Sequence, residues 1–176
     1  MRKKPAKLDR ESLWQYALRA LSARALSIGE LRARLEARAQ TAGEVPATLA
    51  KLKQYGMLDD RLLADTFASA RLENQGFGQG RVLRELRRRR VAPLLAEEAV
   101  SRSYRGVDEN DLIAAFLARK YRRVDLAVHL ADPKRFAAAY RRLRYAGFSA
   151  ANAIRVLRRY SQAAEDMESL EDSDQT

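Results

Sequence analysis

The chain has 176 residues, of which 34 are Lys or Arg, 23 are Asp or Glu, one is His and none is Cys. Without cysteine there is no disulfide framework, thiolate zinc site, iron–sulfur cluster or cysteine nucleophile, and His129 alone cannot build a multi-histidine metal site. Apolar residues make up 47% of the chain, too many for a wholly disordered one. Charges nevertheless interrupt every window well before the roughly 18 apolar residues of a membrane span.

Charge is unevenly spread. Glu165, Asp166, Glu168, Glu171, Asp172 and Asp174 crowd the last twelve residues, so the net +11 of the whole chain becomes +17 over residues 1 to 164. A surplus of that size attracts a polyanion, whether nucleic acid, an acidic protein surface or a membrane face. The cations are 27 Arg to 7 Lys. Arginine's planar fork suits phosphate and carboxylate, although a GC-rich genome gives the same skew without functional meaning. The basic N-terminus runs into Ala6, Lys7, Leu8 and Asp9 rather than an apolar core, so no signal peptide is read and a cytoplasmic location is expected.

Residues 1–10 are polar and basic and are expected to lack fixed structure. From Trp14 onward, apolar residues recur at spacings of three and four: Trp14, Ala17, Leu18 and Leu21, then Leu31 and Leu35, then Leu49 and Leu52. The same spacing continues through Leu63, Phe67 and Ala70, through Val82, Leu83 and Leu86, and on to Ile154 and Leu157. Each set draws one stripe down a helix, and the predicted fold class is all-α. Ser27-Ile28-Gly29-Glu30 has capping-box spacing. Pro46, Pro93 and Pro133 stand in predicted first turns, and Gly56 and Gly147 stand where helices should stop. These marks predict nine helices between residues 11 and 160.

The nine fall into three groups. Sliding Leu31–Leu35 by 51 lays it on Val82–Leu86, and sliding Val82–Val91 by 57 lays it on Ala139–Phe148. Tandem three-helix repeats are therefore expected at 11–58, 59–107 and 108–160, in an elongated, curved arrangement; one compact nine-helix domain is the alternative. The acidic segment 161–176, with only Met167 and Leu170 as large apolar residues, is expected to be disordered.

The densest chemical signal is Arg81-Val82-Leu83-Arg84-Glu85-Leu86-Arg87-Arg88-Arg89-Arg90. At about 100° per residue, Arg81, Arg84 and Arg88 form a stripe opposite Val82, Leu83 and Leu86. Glu85 is the sole carboxylate there, whereas an exposed helix normally mixes signs. Arg32, Arg34 and Arg38 in the first group, and Arg141, Arg142 and Arg144 in the third, repeat the feature. With Arg81, Arg84, Arg87 and Arg88 they are the candidate polyanion- or partner-facing residues.

Other motifs have structural explanations. Gly76-Phe77-Gly78-Gln79-Gly80 lacks the Gly-Lys-Ser/Thr ending of a phosphate loop and follows a helix. It reads as a connector, or as a turn that presents Phe77 and backbone N–H groups; Tyr145, beside Arg144, is similarly ambiguous. Asp59-Asp60 offers two carboxylates to a divalent cation, but helix capping accounts for both. No nucleophile–base pair or ligand cluster is seen, so neither catalysis nor a cofactor is expected.

Taken in order, Gly56-Met57-Leu58-Asp59-Asp60, Leu63, Phe67, Arg71, Gly76-Phe77-Gly78 and Arg84 to Val91 resemble the central signature of the RecX family of bacterial recombination regulators. Tyr16-Ala17-Leu18 with Ser27-x-x-Glu30-Leu31 resembles the family's opening, and Ala146-Gly147-Phe148-Ser149 its closing repeat. Leu63 stands where Phe or Tyr is usual, Arg90 where Gly is usual, and Ala146 where Arg is common. The resemblance implies three tandem three-helix repeats and a non-enzymatic protein. It also implies binding to the RecA filament on single-stranded DNA, with modulation, commonly inhibition, of ATPase and strand exchange. The expected partners are RecA and single- or double-stranded DNA without sequence preference, with no membrane, by a monomer. The alternative is a nonspecific DNA-binding helical-repeat protein with no recombinase partner.

Overall fold

The computed structural model describes the backbone of residues 7–173 and the side chains of residues 7–161. Among these residues there are ten helices and no strand. They are α1 (Arg10–Ala23), α2 (Ile28–Glu36), α3 (Glu44–Gln54), α4 (Asp60–Gln75), α5 (Gln79–Arg88), α6 (Pro93–Ser103), α7 (Glu109–Lys120), α8 (Leu126–Ala131), α9 (Pro133–Tyr145) and α10 (Ala150–Ser173). The all-α expectation holds. The helix missing from the sequence prediction is α8, too short to draw a stripe. It begins at the Asp125 carboxylate, which accepts from the N–H groups of Ala127 and Val128, and ends where Asp132 and Pro133 start α9.

Local chemistry sets the helix boundaries. Ser27 and Glu30 form the capping box of α2, Asp9 caps α1 through the Ser12 N–H, and Pro93 and Pro133 open α6 and α9. Three helices end alike. The N–H groups of Met57, Val91 and Phe148 bond the carbonyls of Leu52, Leu86 and Leu143 at 2.9, 3.2 and 3.2 Å. In each, the preceding residue sits at positive φ: Gly56 at 68°, Arg90 at 57° and Gly147 at 95°. This is the Schellman arrangement, which satisfies carbonyls the helix leaves open. Arg90 is the one non-glycine residue at positive φ among the described residues.

The chain divides into two compact units, one comprising residues 1–69 and 84–103, the other 70–83 and 104–176, with boundaries inside α4 and α5. The expected middle repeat, 59–107, thus contributes to both. In the first unit the core of α1–α3 is built from Leu13, Ala17, Leu31, Leu35, Leu49 and Leu52, and Leu86, Val91, Ala96, Ala99 and Val100 are also buried. In the second, Ile113, Phe116, Leu117, Leu130, Leu143, Phe148, Val156 and Leu157 form the core.

The ends differ from expectation. Residues 1–6 lie outside the described residues, but Lys7 to Arg10, also expected to lack structure, are held. Leu8 pairs with Ala39, Lys7 Nζ donates to the Ala39 carbonyl at 3.0 Å, and Arg10 begins α1. At the other end α10 runs on to Ser173; residues 174–176 lie outside the described residues.

Candidate nucleic-acid and partner interface

In the first unit, the start of α2 packs against the end of α5. Ser27 Oγ donates to the Arg89 carbonyl, and the Arg89 guanidinium donates to Ala25 O at 2.6 Å and Glu30 Oε2 at 3.2 Å. Glu30 also pairs with Arg24 at 3.0 Å. Burial pushes the Glu30 carboxyl upward, but bonds from Arg24, the Ser27 N–H and Arg89 outweigh it and hold the group below its ordinary value. Gly29 faces Arg90 so closely that a Cβ there would lie 2.5 Å from the Arg90 carbonyl oxygen. The capping reading of Asp59-Asp60 holds, with a twist. Asp59 caps its own helix through the N–H groups of Arg61 and Leu62, whereas Asp60 reaches back to the Ile28 N–H of α2 at 2.8 Å. Burial raises the Asp60 carboxyl above its ordinary value, against that bond. Among the described residues no group of three or more potential metal-ligating side chains occurs, and no helix is long and apolar enough to cross a membrane.

The second unit contains the equivalent junction, displaced by 51 residues on one side and 57 on the other. Gly78 and Gly80 take the places of Ser27 and Gly29, while Ala146 and Gly147 take those of Arg89 and Arg90. Gly78 N–H donates to Ala146 O at 2.9 Å and Gly80 N–H to Gly147 O at 3.0 Å. The glycine-rich run is therefore a connector whose N–H groups at 78 and 80 are used inside the fold.

Each junction positions arginines. In the first unit Arg84, Arg87 and Arg88 are exposed on α5 within little more than a turn, whereas Arg89 is turned inward. Arg87 reaches Glu97 at 3.3 Å, but both side chains are more than half exposed, so the pair contributes little. On α2 Arg32 is exposed and Arg34 half-buried, about 200° apart around the helix. Arg38, just past the helix, lies 4.6 Å over the Tyr16 ring. In the second unit Arg141, Arg142 and Arg144 are all exposed. Arg142 lies 5.4 Å over Tyr121, and Arg144 donates to the Phe148 carbonyl. Arg81 is half-buried, its guanidinium 3.7 Å from the Phe77 ring centroid and 5.1 Å from that of Tyr145. Among the described residues the side chains of Arg32, Arg34, Arg88 and Arg141 make no ion pair, hydrogen bond or ring contact.

Sequence reasoning overlooked two cation–aromatic groups. One is Phe77, Arg81 and Tyr145; the other is Lys51, 4.4 Å over Trp14 and 5.9 Å over Tyr55. The sequence signal was faint in both: an aromatic residue at or beside a helix C-terminus, off the apolar stripe.

The fold and these junctions define an all-helical protein assembled from short helical modules. A family model described as "RecX, second three-helix domain" matches residues 59–100. Regulatory protein RecX of Deinococcus radiodurans is 36% identical over 99 residues, an aligned stretch covering 56% of this chain and about half (47%) of that relative. Regulatory protein RecX of Trichlorobacter lovleyi is 30% identical over 105 residues, covering 60% of this chain and 68% of the relative. The crystal structure of RecX from Lactobacillus salivarius superposes with a TM-score of 0.65 at 14% identity, covering 87% of this chain and 97% of that one. The chain belongs to the RecX family.

Proposed function

We propose that this chain is a non-enzymatic regulator of the RecA recombinase. It binds the recombinase filament on single-stranded DNA and lowers its ATPase and strand-exchange activity in recombinational repair. Family membership supports the regulatory role, and the observation that carries the binding mode is the set of arginines without internal partners. Arg32, Arg34, Arg88 and Arg141 have none among the described residues, and Arg84 and Arg87 are exposed beside Arg88. Guanidinium groups left in solvent within a strongly basic chain suit the phosphates of DNA and the carboxylates of a protein partner. Arg38 in the first unit, and Arg81, Arg142 and Arg144 in the second, are the other proposed contact residues, each oriented by the contacts described above.

In this reading the segments 11–58, 59–107 and 108–160 act as three binding modules of a cytoplasmic monomer that requires no metal or cofactor. It contacts single- or double-stranded DNA without reading sequence, and the affinity falls steeply with salt as counterion release loses its advantage. Holding adjacent recombinase subunits and DNA in one arrangement changes ATP turnover without any active site, because a ligand that prefers one filament state shifts the population toward it.

The test is ATP hydrolysis by RecA pre-assembled on single-stranded DNA, titrated with the wild-type chain and with Arg84→Glu/Arg88→Glu. Inhibition by the wild type at levels well below those that coat the DNA, lost in the double variant at unchanged helix content, is the expected result. Inhibition retained in the variant overturns the assignment of this face.

A further inference from the structure

Tyr145, the last residue of α9, is 72% exposed. Its ring does not close any part of the core, yet it is not loosely placed. The Arg81 guanidinium lies 5.1 Å from its centroid and 3.7 Å from that of Phe77, so the cation is shared by two rings. Phe77 is half-buried against the core of the second unit, and its carbonyl accepts from the Tyr104 hydroxyl. The same junction that brings Gly78 and Gly80 to Ala146 and Gly147 sets the starting points of both the Arg81 and Tyr145 side chains. Little reorganisation is then needed before a flat ligand can meet the exposed ring.

The surroundings suggest which flat ligand. Arg141 lies one turn earlier on the same side of α9 and has no internal partner among the described residues, and Arg142 and Arg144 are exposed beside it. A planar ring backed by a delocalised cation, with a further exposed arginine one helical turn away, matches an unpaired nucleobase and its adjoining phosphate. A duplex hides its base faces in its own stack. An acidic protein surface would engage the arginines but has no use for the ring.

We propose that Tyr145, held by Arg81 and Phe77, is a stacking platform for an unpaired nucleobase, with Arg141 meeting the neighbouring phosphate. This rests on the DNA contact proposed above and specifies its chemistry: the chain distinguishes single strands by base faces as well as by charge.

The experiment uses the full chain and two fluorescently labelled strands of about 20 nucleotides, an oligothymidylate and an abasic strand with the same number of phosphates. Anisotropy titrations at one salt concentration give both affinities. The wild type is expected to bind the thymidylate strand about tenfold more tightly than the abasic one, the ratio one good stack supplies. Tyr145→Leu brings the two to within about twofold, Tyr145→Trp restores the preference, and Arg141→Ala weakens both strands equally. Equal wild-type affinities, no binding to either strand, or a preference that survives Tyr145→Leu overturns the platform. Wild-type chain from the same preparation is added to the RecA ATPase assay, which separates the two readings. Inhibition without base preference removes the platform alone, and absence of any effect on RecA removes the regulatory role.

Discussion

The junction of α2 with α5 and that of α5 with α9 do the same job with different chemistry. In the first unit side chains carry the load: the Ser27 hydroxyl on the Arg89 carbonyl, the Arg89 guanidinium on Glu30, and the Asp60 carboxylate on the Ile28 N–H. In the second, backbone replaces them, with Gly78 and Gly80 N–H groups on two carbonyls and Gly147 at a φ of 95°. A close helix-end contact can thus be met mainly by charged, partly buried side chains around one glycine, Gly29, or by glycines on both sides that let two backbones touch. The first version is sensitive to pH and tolerates a non-glycine at the turn. The second relies on backbone groups that do not titrate and has no room for a Cβ at Gly78 or Gly147.

The largest expected effect breaks the backbone version. A Cβ at Gly78 would lie 2.5 Å from the Gly147 carbonyl carbon, and one at Gly147 would overlap Gly78 O and Arg81 N at an unfavourable φ. Gly147→Ala should therefore cost about 3 kcal/mol, combining strain and overlap, read as a lowered urea midpoint by circular dichroism. An unchanged midpoint would mean the backbones do not meet this closely.

Glu30→Ala comes next. It strips Arg89 and the Ser27 N–H of their shared acceptor, and the expected loss is about 2 kcal/mol. Glu109→Ala tests a counterpart in the second unit, where that carboxylate accepts from Ser149 N–H at 2.9 Å and from Ser149 Oγ and Asn152 Nδ2, both at 2.5 Å.

These carboxylates also fix the sign of an acid transition. Glu30 and Glu109 are each held below their ordinary 4.5, against burial, chiefly by hydrogen bonds to the ionised form. The unfolded chain binds more protons in that window, so their contribution is complete above about pH 5 and fades as the pH falls through the depressed values. Asp60 runs the other way: burial raises its carboxyl, so its ionisation costs stability at neutral pH and the cost is relieved on acidification. Stability measured from pH 7 down to 3 should fall less steeply in Glu30→Gln than in the wild type. A parallel curve would show that Glu30 is not held in its charged form.

The smallest effect sharpens the comparison by making the first junction more like the second. Arg90 occupies the left-handed turn that Gly147 fills in the other unit, and Arg90→Gly should stabilise the chain by about 1 kcal/mol. A loss of stability instead would show that the Arg90 side chain compensates for its backbone strain.

Much of this was legible residue by residue. The stripes Leu31–Leu35 and Val82–Leu86, the Ser27/Glu30 capping box, and the stops at Gly56 and Gly147 are all local, and each appears where the spacing places it. The sequence displacements of 51 and 57 map one junction onto the other. The arginine run was harder. Arg88 and Arg89 are adjacent and chemically identical, yet one faces solvent and the other is held by Glu30, 59 residues away.

The sequence alone determined the helical class, most helix boundaries and the basic character of the chain, because periodicity, capping and net charge are set by neighbours within a turn or two. Tertiary structure decided which arginines remain available, that Asp60 caps a helix other than its own, and that Tyr145 rests on Arg81 and Phe77. Those outcomes depend on where distant segments bring a carboxylate, a carbonyl or a ring within a few ångströms, and no local pattern encodes that distance.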